Sequence, residues 1–416
     1  MKIRMVGSAA ALLAGLLVAA PSAVRAEGRI TFTKATVQGC RAMGKCIWKV
    51  TCQIGKEQLV QDLRGVSRDV KEINKSFDTP GFPVNVQCKT EIDDGFISTS
   101  WKEVGKAAVS VPGGGDWDFE MSNKENGGVT VHVTVDSLEV GAPAAAPAAT
   151  GKAAKAKPAK AAAPAAPRQY IGVFQASPQG EAVLVGFPWD QFKARADQLD
   201  AGGVRIVSLD TYVDGGRRVW SGIFKSGSEK QLLMQGIVFE EFTKKYKGLV
   251  QDQHMRMLDI VSYDEGTKRL IGGAFHEGYD KPAPPWFLEQ KAFEAKVAEL
   301  GGQGQRLQHM DVYKSTGNKF NYTGVFRQGS GNYGLWTGLD KDAFLAKWKK
   351  ASDSGTQINE VKTYSDGKKR LYDAVIGAGG MKTEVDLGMD WNAFAAKWKE
   401  NFGKGYRLVG LETYQD

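Results

Sequence analysis

The stretch Val204-Arg205-Ile206-Val207-Ser208-Leu209-Asp210-Thr211-Tyr212-Val213-Asp214-Gly215-Gly216-Arg217-Arg218-Val219-Trp220-Ser221-Gly222-Ile223-Phe224 contains two runs of alternating apolar and polar residues separated by Asp-Gly-Gly. Period two belongs to a strand with one buried face, and Asp-Gly-Gly supplies the positive backbone dihedrals of a tight turn. The stretch predicts a β-hairpin. A short apolar run, Leu232-Leu233-Met234-Gln235-Gly236, follows and leads to Phe242 and Tyr246. Their spacing of four places both on one face of a helix.

The same pattern recurs along the chain. Tyr212, Tyr263, Tyr313, Tyr364 and Tyr414 are spaced 51, 50, 51 and 50 residues apart, and Phe192, Phe242, Phe293, Phe344 and Phe394 are spaced 50, 51, 51 and 50. Gly172, Gly222, Gly273, Gly324 and Ala374 keep the same rhythm, with Phe174, Phe224, Phe275, Phe326 and Ile376 two residues on. Residues 168–416 therefore read as five tandem units, each strand–turn–strand–short strand–helix. The helical pairs Phe242/Tyr246, Phe293/Val297, Phe344/Trp348 and Phe394/Trp398 suit the core of a unit too small to bury enough surface otherwise. A carbohydrate-stacking row is the alternative.

The phase of the array matters. It opens with a return strand, Tyr170 to Phe174, that lacks its partner, and closes with Tyr406 to Tyr414, which lacks its return. Pairing of these two would close a propeller-like ring and hide both sheet edges; an open curved array with capped ends is the alternative. The fold class expected is mainly β with one helix per repeat. An N-terminal antiparallel β-sandwich is followed by a five-unit β-β-(β)-α array.

The pattern from Asp210 to Phe224, with the aromatic helix after it, resembles the bacterial tandem repeat in the N-terminal part of polyglycine hydrolases. The resemblance covers residues 168–416 and implies a repeat module without a catalytic role of its own. In those hydrolases the chemistry belongs to a separate serine β-lactamase-like domain, which is not found in this sequence.

Ahead of the array, Lys2 and Arg4 precede an apolar run from Ala9 to Ala20, and Val24-Arg25-Ala26 offers small residues before Glu27. These are the parts of a secretory signal peptide over 1–26, so the expected location is periplasmic or secreted, with no membrane span. Residues 27–140 alternate in short runs (Ile30 to Thr33, Trp48 to Cys52, Val84 to Cys88, Val129 to Val135) between turn-rich segments, as in a small sandwich. It resembles C2-type sandwiches but lacks their aspartate clusters at the loop tips, so no calcium or lipid site is expected. Cys40, Cys46, Cys52 and Cys88 allow three connectivities; Cys40–Cys46 and Cys52–Cys88 are favoured. Residues 141–167, rich in Ala, Pro and Lys, predict an extended spacer reaching on the order of 80 Å. Such a spacer implies that the two halves work at a distance.

No hydrolase elbow, zinc-protease motif or phosphate loop is present. Ser365-Asp366-Gly367-Lys368 has the spacing of a Ser/Lys pair but falls on a hairpin turn. His132, His254, His276 and His309 show no paired spacing. No catalytic residue, metal ligand or cofactor is expected. The formal charge is +8, yet four of the lysines lie in the spacer and Lys2 and Arg4 in the signal, so nucleic acid is not an expected partner. Arg205, Arg256, Arg306 and Arg407 share one strand position, filled by Gln357 in the fourth unit. Arg217, Arg218, Lys268, Arg269, Lys319, Lys369 and Arg370 follow the turns and form a candidate basic rim for a protein or an anionic envelope polymer. The expected function is that of an exported, non-catalytic binding protein. The alternative is a secreted, peptidase-like hydrolase whose site no motif reveals.

Overall fold

The computed structural model describes residues 25–38, 46–65, 70–79, 84–93, 101–111, 115–123, 127–140, 167–279, 286–315, 319–331, 333–378 and 380–415. Every run read above as alternating in the N-terminal half is a strand. One sheet holds β1 (Arg25–Val37), β4 (Val70–Thr79), β7 (Gly115–Asn123) and β8 (Gly127–Val140), and a second runs β3 (Glu57–Gly65), β2 (Cys46–Ile54), β5 (Val84–Asp93), β6 (Trp101–Val111). Ile30, Phe32, Val131 and Val133 of the first share a core with Trp48, Val50, Val86 and Ile92 of the second. Cys52 and Cys88 lie opposite each other on β2 and β5 and are disulfide-bonded. Cys40 and the Cys46 side chain, and with them the other expected bridge, lie outside the described residues, as does the expected signal up to residue 24.

Each unit of the repeat block contributes three antiparallel strands, the return strand lying between the short strand and the first strand, and the first strands form the inner side, where they neighbour those of other units. The sets are β10 (Glu181–Phe187), β12 (Arg217–Ser226) and β11 (Val204–Asp214); β13 (Gln231–Val238), β15 (Lys268–Glu277) and β14 (Met255–Glu265); β16 (Leu288–Glu289), β18 (Phe320–Gln328) and β17 (Gln305–Lys314); and β19 (Tyr333–Leu339), β21 (Arg370–Ala378) and β20 (Thr356–Ser365). In the fifth sheet β9 (Gln169–Ala176) lies between β22 (Thr383–Met389) and β23 (Tyr406–Tyr414). Gly172 of β9 pairs with Leu411 on one side and Asp386 on the other. The strand that opens the block thus completes the unit that ends it. The innermost strands neighbour one another in the order β11, β14, β17, β20, β23, and β23 also lies beside β11.

Each unit carries one helix between its short strand and its innermost strand: α1 (Trp189–Ala201), α2 (Phe239–Gln251), α3 (Gln290–Gly302), α4 (Lys341–Ser352) and α5 (Trp391–Gly403). The first core aromatic of every helix, from Phe192 to Phe394, is fully buried, and Tyr246, Val297, Trp348 and Trp398 beside them are buried too. Core packing, not a stacking row, is their role. The glycine of the return strand has a steric reason. A Cβ on Gly222 would lie 3.0 Å from Phe192 Cζ and 3.1 Å from Phe224 Cε2. The fourth unit has Ala374 there, and its partner two residues on is the smaller Ile376.

Every innermost strand slips register once at the same place: Ile206/Ser208, Met257/Asp259, Leu307/His309, Ile358/Glu360 and Leu408/Gly410. The extra residue of a bulge inverts the alternation beyond it. Ile206 and Leu209, an odd three apart, therefore both pack with Phe192. The residues at 208 and 210, and their counterparts, face away from the helix.

The two halves are not held apart. Ser137 to Val140 of β8 pair in parallel with Ala182 to Val185 of β10, so one seven-stranded sheet runs through both. β8 extends past the end of β7, and β10 fills the edge left open there. Leu138 joins Val183, Val185 and Phe394 in one apolar cluster. The expectation of separated halves is corrected: a spacer's length sets the greatest reach, while an open strand edge and buried apolar surface set the distance adopted. Among the described residues no helix is long and apolar enough to cross a membrane.

Candidate functional site

The rim residues read from the sequence divide into two sets. The Arg218 guanidinium lies 4.1 Å from the Tyr263 ring centre and donates to the Asp264 carbonyl at 3.2 Å. Arg269 repeats this on Tyr313 (3.8 Å) and Lys314, and Arg370 on Tyr414 (3.9 Å) and Gln415. Arg168, outside the rim read from the sequence, does the same with Tyr212 (3.9 Å) and Val213. In the third unit Phe320 packs on Tyr364 instead, with ring centres 4.2 Å apart. These inner cations therefore clamp each unit to the next through cation–π and charge-assisted contacts. Arg217, Lys268, Lys319 and Lys369 stand exposed at the hairpin ends. Lys319 meets Glu289 at 2.7 Å and Lys369 meets Asp340 at 3.4 Å, surface pairs worth about 0–1 kcal/mol each.

Arg205, Arg306 and Arg407, three of the arginines that share one strand position, serve the helices. Arg205 donates to the Asp200 carbonyl at 2.6 Å, Arg306 to Gly301 at 2.9 Å and Arg407 to Phe402 at 3.4 Å. The acceptors are last-turn carbonyls that have no partner within their own helix.

A second constellation was missed in the sequence. Four residues before the repeat tyrosine stand Ser208, Asp259, His309, Glu360 and Gly410; two before it stand Asp210, Val261, Asp311, Lys362 and Glu412. The bulge turns both positions away from the helices, towards the meeting of the innermost strands. There the carboxylates latch the unit before them. Asp259 Oδ2 accepts from Leu209 N at 2.8 Å, Glu360 Oε2 from Met310 N at 2.6 Å and Glu412 Oε1 from Thr363 N at 3.4 Å. Lys362 Nζ sits 3.4 Å from Glu360 Oε1 and 3.3 Å from Glu412 Oε2. His309 Nδ1 lies 3.6 Å from Glu360 Oε1.

Burial dominates the protonation of this cluster. It pushes Glu412 up to about 8 and Asp311 up to about 6, and it raises Asp210 and Asp259. For Glu360 burial is outweighed by Lys362 and His309, which hold its carboxyl below the usual range. Burial alone would depress Lys362, but Glu412 and Glu360 keep it well above its ordinary value. His309 is likewise raised against its burial, by Asp259 and Glu360. Asp259, His309 and Glu360 each bring one ligand atom within 4.8 Å of the other two. Comparing histidines with one another hid this triad. Counting four back from Tyr263, Tyr313 and Tyr364 would have found it.

Other candidates are structural. Ser365 ends β20, and Asp366 Oδ1 accepts from Lys368 N at 2.8 Å and Lys369 N at 2.9 Å, so the tetrad is a side-chain-capped turn. His276 is buried and depressed to about 4 by desolvation. His132 pairs with Asp118 in the sandwich.

Solved structures with some likeness include a single C2 domain of plant extended synaptotagmin 1 (11% identity over 27% of this chain and 92% of that one, TM-score 0.21). The tandem C2 domains of extended synaptotagmin 2 give 10% identity over 66% and 100%, TM-score 0.22. Human GIVD cytosolic phospholipase A2 gives 8% over 81% and 37%, TM-score 0.22. At such scores these likenesses carry no argument. No curated protein matches the chain. Residues 180–226 and 380–416 match the family model of the polyglycine hydrolase-like structural repeat, the repeat that the residues from Asp210 to Phe224 resemble.

Proposed function

We propose that the chain is an exported binding protein whose five units close into a propeller-like ring and engage an acidic protein or anionic envelope polymer. The pairing of β9 with β23, and the position of β23 beside β11, support closure. The observation that carries the binding reading is the division of the rim. The inner arginines of successive units are engaged by tyrosines, while Arg217, Lys268, Lys319 and Lys369 stand at equivalent hairpin ends, exposed to solvent. Each clamp reaches the hairpin of the next unit, which supports a reading in which these ends share one face. A row of cations on a rigid face concentrates a polyanion and sets its register.

The test is capture from envelope extract by the full chain at low and at high salt, beside a variant with the four outer cations changed to Glu. Capture that the variant loses supports the face; capture that it retains moves the site elsewhere. The full chain is required, because cutting at residue 168 would expose the β10 edge that β8 covers. A second reading, a secreted hydrolase, draws support from the Asp259–His309–Glu360 constellation. It requires turnover that a His309→Gln variant loses, whereas the binding reading requires none.

A further inference from the structure

Asp259, His309 and Glu360 occupy one strand position in three consecutive units, just past the bulge of β14, β17 and β20. We propose that this triad is a site for a divalent first-row transition cation of the zinc class.

The donor set suits such a cation. One imidazole nitrogen and two carboxylate oxygens match borderline metals, and three protein ligands leave a fourth position open. Ligand atoms about 2.0–2.2 Å from a tetrahedral metal lie about 3.3–3.6 Å from one another. The three atoms, within 4.8 Å of one another, therefore draw together on binding by side-chain rotation.

The carboxylates are already oriented. Asp259 accepts from Ile260 N through Oδ1 and from Leu209 N through Oδ2, both at 2.8 Å. Glu360 is fixed by Met310 N through Oε2 and turns Oε1 towards His309. Backbone donors behind ligating carboxylates are the outer-shell support that metal sites use.

His309 Nδ1 supplies a separate observation. The atom is shut off from solvent with no partner at hydrogen-bond distance, Glu360 Oε1 standing 3.6 Å away, a gap that a cation held by both atoms would fill. Five carboxylates, Asp210, Asp259, Asp311, Glu360 and Glu412, gather there against the cations Lys362, His309 and, on Asp210, Arg168. Lys362, 3.4 Å from Glu360 Oε1, is the internal competitor for that oxygen. This gives the proposal a signature that a purely structural cluster lacks: removing the lysine's charge should tighten metal binding.

The experiment strips the full chain with chelator, then titrates Zn2+ by calorimetry and Co2+ by visible absorbance. One equivalent is expected, with a Zn2+-dependent rise in melting temperature. Glu360→Gln should weaken binding at least about tenfold, His309→Gln should abolish the Co2+ spectrum, and Lys362→Met should tighten binding. Circular dichroism checks folding; if the His309 variant does not fold, Glu360→Gln and Lys362→Met decide. No saturable binding by the unaltered chain, or binding indifferent to these substitutions, overturns the proposal.

Discussion

Arg407 of the last repeat strand meets Asp136 of the sandwich with Nε 2.9 Å from Oδ1, and both residues are buried. The same carboxylate accepts from Glu181 N at 3.1 Å. One ion pair thus ties together the sandwich, the first unit and the fifth. Burial pushes Asp136 well above the usual carboxylate range, and Arg407 opposes that push. Removing one partner leaves a buried group uncompensated, at about 3–5 kcal/mol, whereas replacing both with apolar residues is often near neutral. Arg407→Ala should therefore lower stability in urea by that amount. The double variant Asp136→Leu/Arg407→Met should lose less than the single one; an equal or greater loss would deny that the pair acts as a unit.

The clamp predicts a contrast between neighbours. Arg370→Ala removes the contact on Tyr414 and the hydrogen bond across the unit boundary, a loss of about 1–2 kcal/mol. Lys369→Ala, on the exposed side, should stay within about 0.5 kcal/mol. Chemical denaturation of both variants checks this. Equal effects would contradict the division of the rim.

Asp373 sets a pH dependence. Burial raises it to about 7, while Gly338 N and the Tyr364 hydroxyl donate to its Oδ1 at 2.6 and 3.3 Å. An acid whose folded value lies above its unfolded one stabilises fully below the unfolded value. That contribution declines as pH rises towards 7, because the unfolded chain ionises first. Between pH 4 and 7 the unaltered chain should lose on the order of 3 kcal/mol relative to Asp373→Asn. Parallel stability–pH curves for the two proteins would refute this.

The disulfide closes a loop with a sequence separation of 36, for which chain entropy gives roughly 4 kcal/mol. Replacing Cys52 and Cys88 together by Ser should destabilise by about 2–4 kcal/mol in denaturation of the oxidised and variant proteins. No change would show that β2 and β5 pair equally well without it.

The hairpins and the helical core aromatics were legible because each rests on a local pattern, and the Cys52–Cys88 bridge was favoured because each cysteine lies in a run of strand-like alternation. The junction of β8 with β10 was not, since nothing in either strand names a partner beyond a long spacer. The Asp259–His309–Glu360 triad escaped for another reason: a one-residue bulge reverses the inward face, and period-two reading continues past it with the wrong parity. β4 (VKEINKSFDT) lies at a sheet edge and is mostly exposed, so charge obscures its alternation. β16 is two residues long, and Pro282, Pro284 and Pro285 precede it in a stretch where the other units have strand-forming residues.

Native-state hydrogen exchange along β9 tests closure of the array most directly. In a closed ring Ile171 and Val173, within the strand paired by β22 on one side and β23 on the other, exchange as slowly as Ile223 in the middle of the first sheet. Exchange at the rate of a frayed end, with Ile223 still protected, would contradict a closed ring.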